Sequence, residues 1–262
     1  MDFSIKKYNQ LISALQSQGY FFQTFENFLE KPEKKAIILR HDVDLKPEKS
    51  LKFAKVLLEK GIKGTFYFRT TPCSWDVEIM KSIAFLGHEV GYHYECLDFI
   101  ANENKSLTKD DLLKLALKDF EKNLKKFHDV CEIKTISMHG RAFSKWDNRL
   151  LWKEFNYRDY DIIGEPYFDI DFSKVLYLTD SDRKWNSKTR IFDKEFNTDK
   201  KNKSFNSTNE IIKAAKEGRL PDKIMMTFHP QRWHDSVIPW MKELVMQSAK
   251  NQVKRVLLRM RD

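Results

Sequence analysis

The strongest constraint on the fold of this chain is a pattern that repeats. An apolar run of strand length ends in residues able to bind a metal or move a proton, and a helical segment follows. The first instance is Ile37-Ile38-Leu39-Arg40-His41-Asp42-Val43-Asp44, which reads as a buried strand delivering two carboxylates and an imidazole at its end. Three later apolar segments finish in histidine, at His93, His139 and His229. Strands that each feed a helix are the signature of parallel βαβ units. In such sheets, side chains converge on a ligand at the carboxyl ends of the strands. One strand ending in histidine would mean little. Three of them, together with Asp-x-Asp, predict a shared rim that binds a divalent metal and does hydrolytic chemistry.

The rest of the chain fits an alternating α/β plan. Helical spacing predicts a helix from Ser4 to Gln18, followed by an aromatic segment from Tyr20 to Phe28. Pro47 opens a helix that stops at Gly61, Gly64 to Arg69 reads as a strand, and a helix runs from Trp75 to Leu86. Thr108 begins a helix to Phe127 with an aspartate three residues on. From Gly140 to Ser207 the pattern is less regular, with strands expected at Tyr160–Ile163 and Val175–Leu178, and Ser207 or Thr208 caps a helix to Gly218. At 262 residues and 41% hydrophobic content, one domain spanning 1–262 is expected. Residues 1–34 form an N-terminal helical extension in this reading. Residues 236–262 form a C-terminal packing helix, with Val245, Ala249, Val253, Val256, Leu257 and Met260 as its periodic apolar face.

Composition excludes several classes of function. The net charge of +9 arises from 47 basic residues interleaved with 38 acidic ones, which describes a solvated surface rather than a nucleic-acid arm. Basic density rises at Lys194–Lys203 and Lys250–Arg261. An anionic small-molecule or lipid-linked substrate would fit that charge. No stretch is apolar enough to span a bilayer and the first residues lack a secretory core, so a cytoplasmic protein is expected. Cys73, Cys96 and Cys131 are odd in number and sparse, which predicts reduced thiols.

These residues resemble the polysaccharide deacetylases, also called carbohydrate esterase family 4 or the NodB homology domain. Gly87-His88-Glu89-Val90-Gly91-Tyr92-His93 is similar to the family's GHEIGNH segment, and Met226-Thr227-Phe228-His229 to its late LxLH segment. Asp42 and Asp44 resemble its strand-end aspartate pair, spaced by Val43 as in a divergent branch. The match in order runs from Ile37 to about Trp233. It implies a distorted (β/α) barrel of about seven to eight strands. It also implies a divalent metal, zinc first among zinc, cobalt, nickel, iron and manganese, and removal of acetyl groups from N-acetylated or O-acetylated sugars.

Residue by residue, the resemblance assigns Asp42 as base, Asp44 and His93 as metal ligands, and His229 as general acid. Arg141 occupies the region of the arginine that orients the catalytic carboxylate. Asp180 falls where an aspartate tunes the acid histidine, and Trp185 and Trp233 are expected to line the pocket. The family places a second ligating histidine where this chain has Leu97. His139 is the preferred replacement, with Glu95 and Cys96 as rivals, because a catalytic zinc site needs three protein ligands. Arg40 is expected to neutralise the carboxylates, His41 is as readily structural as functional, and His88 and His128 are expected to have no catalytic part. Two alternatives stand beside deacetylation: hydrolysis of non-sugar C–N bonds in small molecules, and a non-catalytic sugar-binding relative that has lost its metal.

Overall fold

The computed structural model describes residues 1–140, 144–185 and 205–259. In chain order the elements begin with α1 (Ile5–Ser17), β1 (Phe21–Gln23), α2 (Phe25–Glu30), β2 (Ala36–Val43), α3 (Pro47–Leu58), β3 (Thr65–Phe68) and α4 (Val77–Phe85). There follow β4 (Glu89–Tyr94), α5 (Cys96–Glu103), α6 (Lys109–His128), β5 (Ile136–Met138), and the short helices α7 (Leu151–Glu154) and α8 (Pro166–Asp169). The chain ends with β6 (Leu176–Thr179), α9 (Thr208–Lys216), β7 (Lys223–Phe228) and α10 (Val237–Arg259).

Among the described residues seven strands form one parallel sheet, in the order β5-β4-β3-β2-β7-β6, and β1 lies against the first half of β2 ahead of β3. The result is an incompletely closed parallel barrel wrapped by helices. Every residue of β2 is buried, including Arg40, His41 and Asp42. Side chains alternate across a strand, so Arg40, Asp42 and Asp44 share one face while His41 and Val43 take the other. His41 Nδ1 donates to the Thr65 carbonyl (3.1 Å), and its Nε2 accepts from the Tyr8 hydroxyl (2.9 Å). Burial pushes its pKa down to about 3, which makes it a neutral core residue.

Register fixes which strand ends meet. Val43 pairs with Phe68, and Phe68 with Tyr92, so Asp44 and His93 stand one step beyond the same level. Tyr94 pairs with Met138, which brings His139 just past the end of β5. His41 pairs with Phe228, so His229 follows beside Asp42. Gly91, two residues before His93 on the same face, cannot carry a side chain: a Cβ there would lie 2.3 Å from the Tyr67 ring and 2.9 Å from the Thr135 carbonyl oxygen.

The N-terminal segment is part of the core rather than an appendage. Tyr8, Leu11, Ile12 and Leu15 of α1 are fully buried, each worth roughly 1.5–3 kcal/mol for large apolar side chains, and β1 extends the sheet. Two expectations are corrected. Tyr160–Ile163 is no strand, because a 3₁₀ turn at Tyr157–Tyr160 ends in Asp161 with left-handed φ of 59°, leaving one isolated bridge between Thr135 and Gly164. In α10 the described positions of the periodic apolar face do not pack: Val245, Val253 and Val256 are 66%, 55% and 56% exposed, and Ala249 is exposed, while the Leu257 side chain and Met260 lie outside what is described. Helical periodicity identifies a stripe, not the direction in which it points.

Candidate metal centre and acid-base site

Asp44, His93 and His139 each aim one ligand atom at a common point, all within 4.8 Å of one another. His139 Nδ1 lies 3.1 Å from Asp44 Oδ1 and 3.2 Å from His93 Nε2, and His93 Nε2 lies 3.6 Å from Asp44 Oδ1. Tetrahedral ligands held 2.0–2.2 Å from an ion stand about 3.3 Å apart, and the three separations bracket that value. His93 Nδ1 is bonded to the Ser137 carbonyl at 2.8 Å, which makes Nδ1 the donor and leaves the Nε2 lone pair facing inward. Burial brings the His93 pKa down to about 3, against the opposing pull of Asp42, so the imidazole is neutral as a ligand must be. Asp44 Oδ1 is buried and accepts no hydrogen bond of ordinary geometry. A buried charged acceptor left in that state is costly, and a cation is the partner its surroundings fit. A divalent ion of the zinc type suits this donor set and leaves a fourth position open.

Both rivals are committed elsewhere. Glu95 Oε1 accepts from Arg69 Nε at 2.7 Å and Nη2 at 2.5 Å, and Arg69 Nη1 reaches the Asp44 carbonyl at 3.3 Å. Cys96 is buried 3.3 Å from Tyr92 Oη, and burial raises its thiol pKa. Leu97 is fully buried in the core. Its N–H donates to Asn148 Oδ1, while Asn148 Nδ2 donates to Asp98 and to the His139 carbonyl. The Asp98–Asn148 pair therefore holds the loop that carries His139.

Asp42 sits beside the trio, 3.6 Å from His93 Nε2 through Oδ2. Arg40 grips it with two parallel hydrogen bonds, Nε to Oδ1 at 2.7 Å and Nη2 to Oδ2 at 2.8 Å. Burial raises the Asp42 pKa, but Arg40, then His93 and His229, outweigh it and hold the carboxyl below its ordinary range. Arg141, expected to orient Asp42, lies outside the described residues; among those described, Arg40 holds that contact.

His229 faces the carboxylates from β7. Its Nε2 is 3.9 Å from Asp44 Oδ2 and 4.0 Å from Asp42 Oδ2. Its Nδ1 meets Asp180 Oδ1 at 2.5 Å, and its backbone N–H donates to the same carboxylate at 3.0 Å. Burial works to raise the Asp180 pKa, yet the adjoining His229 imidazole holds it low. Trp233 Nε1 donates to Asp180 Oδ2 at 2.5 Å. The two tryptophans expected to line the pocket are core residues: Trp233 is 1% exposed, and Trp185 is 3% exposed with its indole donating to Thr208 Oγ1 at 3.0 Å. An indole buried on both faces cannot stack on a sugar.

No family model matches the sequence, and no curated protein does. Solved structures are similar at low identity. The Streptococcus pyogenes deacetylase PplD in complex with acetate is 18% identical over 58% of this chain and 70% of its own, with a TM-score of 0.43. A carbohydrate esterase family 4 pseudoenzyme from Bacillus anthracis is 12% identical over 85% of this chain and 62% of its own, TM-score 0.42. A mutant of that pseudoenzyme with restored enzymatic activity is 13% identical over 85% and 64%, TM-score 0.40. Likeness at this level says nothing of substrate or activity, and the site stands on its own geometry.

Two supporting groups carry no motif of their own. Gln231 Nε2 donates to Asp44 Oδ2 at 3.0 Å, and only its place in the loop after His229 hints at this. Glu165 accepts from the amides of Met138 (3.0 Å) and Tyr167 (2.6 Å), fixing the strand end just before His139. Burial raises its pKa from 4.5 to about 7 despite those amides. The unfolded chain releases this proton near pH 4.5 and the folded chain only near 7, so stability falls as pH rises through that window and is level above it. The variant Glu165→Gln lacks the titration. The wild-type thermal midpoint, relative to the variant's, is expected to decline between pH 4.5 and 7. A constant difference would mean that Glu165 titrates normally.

Proposed function

We infer that this chain is a metal-dependent hydrolase that removes acetyl groups from N-acetylated or O-acetylated sugars. One observation carries the reading: a three-ligand cluster, a buried ionised carboxylate and a carboxylate-backed imidazole all meet within 4.0 Å at the ends of neighbouring strands. The sequence resemblance to polysaccharide deacetylases supports the choice of substrate class.

A divalent cation held by Asp44, His93 and His139 supplies the positive charge that polarises an acyl carbonyl and eases deprotonation of water. The protein supplies the rest. Asp42, kept ionised and aimed by Arg40, takes the proton of the attacking water at Oδ2, the oxygen that faces His93 and His229. The water oxygen bonds to the acyl carbon. An amine leaves poorly as an anion, so the C–N bond breaks as His229 Nε2 gives its proton to the nitrogen. Asp180 fixes His229 Nδ1 as a donor and stabilises the charged ring. Products are acetate and the free amine, and the proton on Asp42 returns His229 to its starting state by way of solvent.

The test is acetate release from a panel of N-acetyl and O-acetyl sugars by metal-loaded protein, with chelated protein as control. Release from at least one sugar that chelation abolishes is expected. Release from non-sugar amides alone would assign the site to small-molecule C–N hydrolysis. Stoichiometric metal without any turnover would assign it to a binding protein.

A further inference from the structure

Asp42 and Asp44 share one face of the chain at the end of β2, and each presents a carboxylate oxygen 3.6 Å from His93 Nε2. Distance from that nitrogen alone does not separate them, but their partners do. Arg40 occupies both oxygens of Asp42 and sets a full positive charge against it. Asp44 instead receives a neutral amide: Gln231 Nε2 donates to Oδ2 at 3.0 Å. Its Oδ1 faces His93 Nε2 and His139 Nδ1.

Gln231 is a costly residue to keep in this place. It is 5% exposed, and its Oε1 is buried without a hydrogen-bond partner. A buried amide with part of its bonding capacity unmet is less stable than one fully paired. The one bond its side chain makes falls on a ligand carboxylate, and Nε2 must be the atom that faces it, because Oε1 has no proton to donate. Its backbone is held from two directions. Gln231 stands in the 3₁₀ turn Pro230–Arg232 that directly follows His229. Lys49, in the first turn of α3, donates to the carbonyls of Gln231 at 3.2 Å and Trp233 at 2.8 Å. Arg232 Nη1 donates to the Asp180 carbonyl at 3.3 Å. Because α3 begins three residues after Asp44, the ligand and the turn that steadies it are tied to the same helix.

We propose that Gln231 is the positioning residue that makes Asp44 a one-oxygen metal ligand. Its amide engages Oδ2, turns Oδ1 toward the two histidines, and leaves the charge of the carboxylate for the cation. This deepens the metal-dependent reading above and rests on it. The consequence is selectivity among metals. A carboxylate limited to one oxygen suits a four-coordinate site of the zinc type. A carboxylate with both oxygens free can chelate, which suits oxygen-preferring ions of higher coordination number, such as manganese.

The experiment is competition of the full chain against a chelator of known affinity, with zinc and with manganese in separate titrations and no substrate. Gln231→Met keeps the length of the side chain and removes the donor. Zinc affinity should fall by roughly 10–100-fold, the range for loss of a group that orients a ligand, and manganese affinity should fall less. Gln231→Leu repeats the loss with a shorter side chain. Gln231→Lys restores a donor but brings a positive charge, so zinc binding should stay at least as weak as in Gln231→Met. Circular dichroism confirms that each variant measured is folded. Wild-type zinc affinity in Gln231→Met or Gln231→Leu would overturn the proposal. So would equal losses for the two metals, which would make Gln231 a structural support only, and so would recovery of zinc binding in Gln231→Lys. Wild-type protein that binds neither metal would overturn the metal-dependent reading itself, a result distinct from unaltered binding in the variants.

Discussion

Purified His139→Ala protein is expected to fold normally and to lose stoichiometric divalent metal. His139 Nδ1 is the donor nearest to both other ligands, at 3.1 and 3.2 Å, and without it only Asp44 and His93 remain. Two ligands do not make a catalytic zinc site, and the loss of one should lower affinity until the ion is stripped during purification. The fold should survive because His139 follows the last residue of β5 and lies outside the apolar core. Asp44→Ala should behave alike, and acetate release should vanish with the metal in both. Metal analysis beside circular dichroism decides the matter. Full occupancy in His139→Ala would remove His139 from the ligand set and turn attention to Asp42, whose Oδ2 is as near to His93 Nε2, at 3.6 Å, as Asp44 is.

Much of this centre was legible in the sequence because strand periodicity is strict. Asp42 and Asp44 must share a face, and histidines that end neighbouring parallel strands must share a rim. The pairing of Asp180 with His229 was reached through the family resemblance, since no local spacing links residues on different strands. Other features lay beyond pattern reading. Arg40 was expected to neutralise the carboxylates of its own strand, but its paired grip on Asp42 depends on how far the side chain reaches along that strand. Trp185 and Trp233 are equally suited by composition to a pocket or a core, and their burial follows from Phe3, Tyr8 and Phe53 packing around them. The apolar stripe of α10 was visible as a periodicity, but its outward direction follows from contacts on the other side of the helix, where Trp240 Nε1 donates to the Asp2 carbonyl and Asn251 Nδ2 to the Asp182 carbonyl.

Asp42 and His229 should separate in how they fail. Asp42→Asn keeps an acceptor for Arg40 and leaves all three ligands in place, so metal should remain while turnover falls by roughly 10²–10⁴-fold, the range for a general acid or base. Some stability should go as well, because the buried Arg40 loses its counter-charge. Thermal unfolding therefore accompanies the assay, to confirm that the protein measured is folded. His229→Ala should be selective instead. An N-acetyl sugar expels an amine that needs a proton, and its cleavage should drop within that same range. An aryl acetate expels a phenolate that scarcely needs one, and its cleavage should suffer far less. Asp180→Asn should follow His229→Ala in this selectivity, since it removes the charge that steadies the imidazolium while sparing the ring. Equal losses on both substrates in His229→Ala would take the acid role from His229. Wild-type turnover in Asp42→Asn would overturn the division of labour altogether, because Asp42 is the non-ligand carboxylate that the described residues place 3.6 Å from a ligand nitrogen.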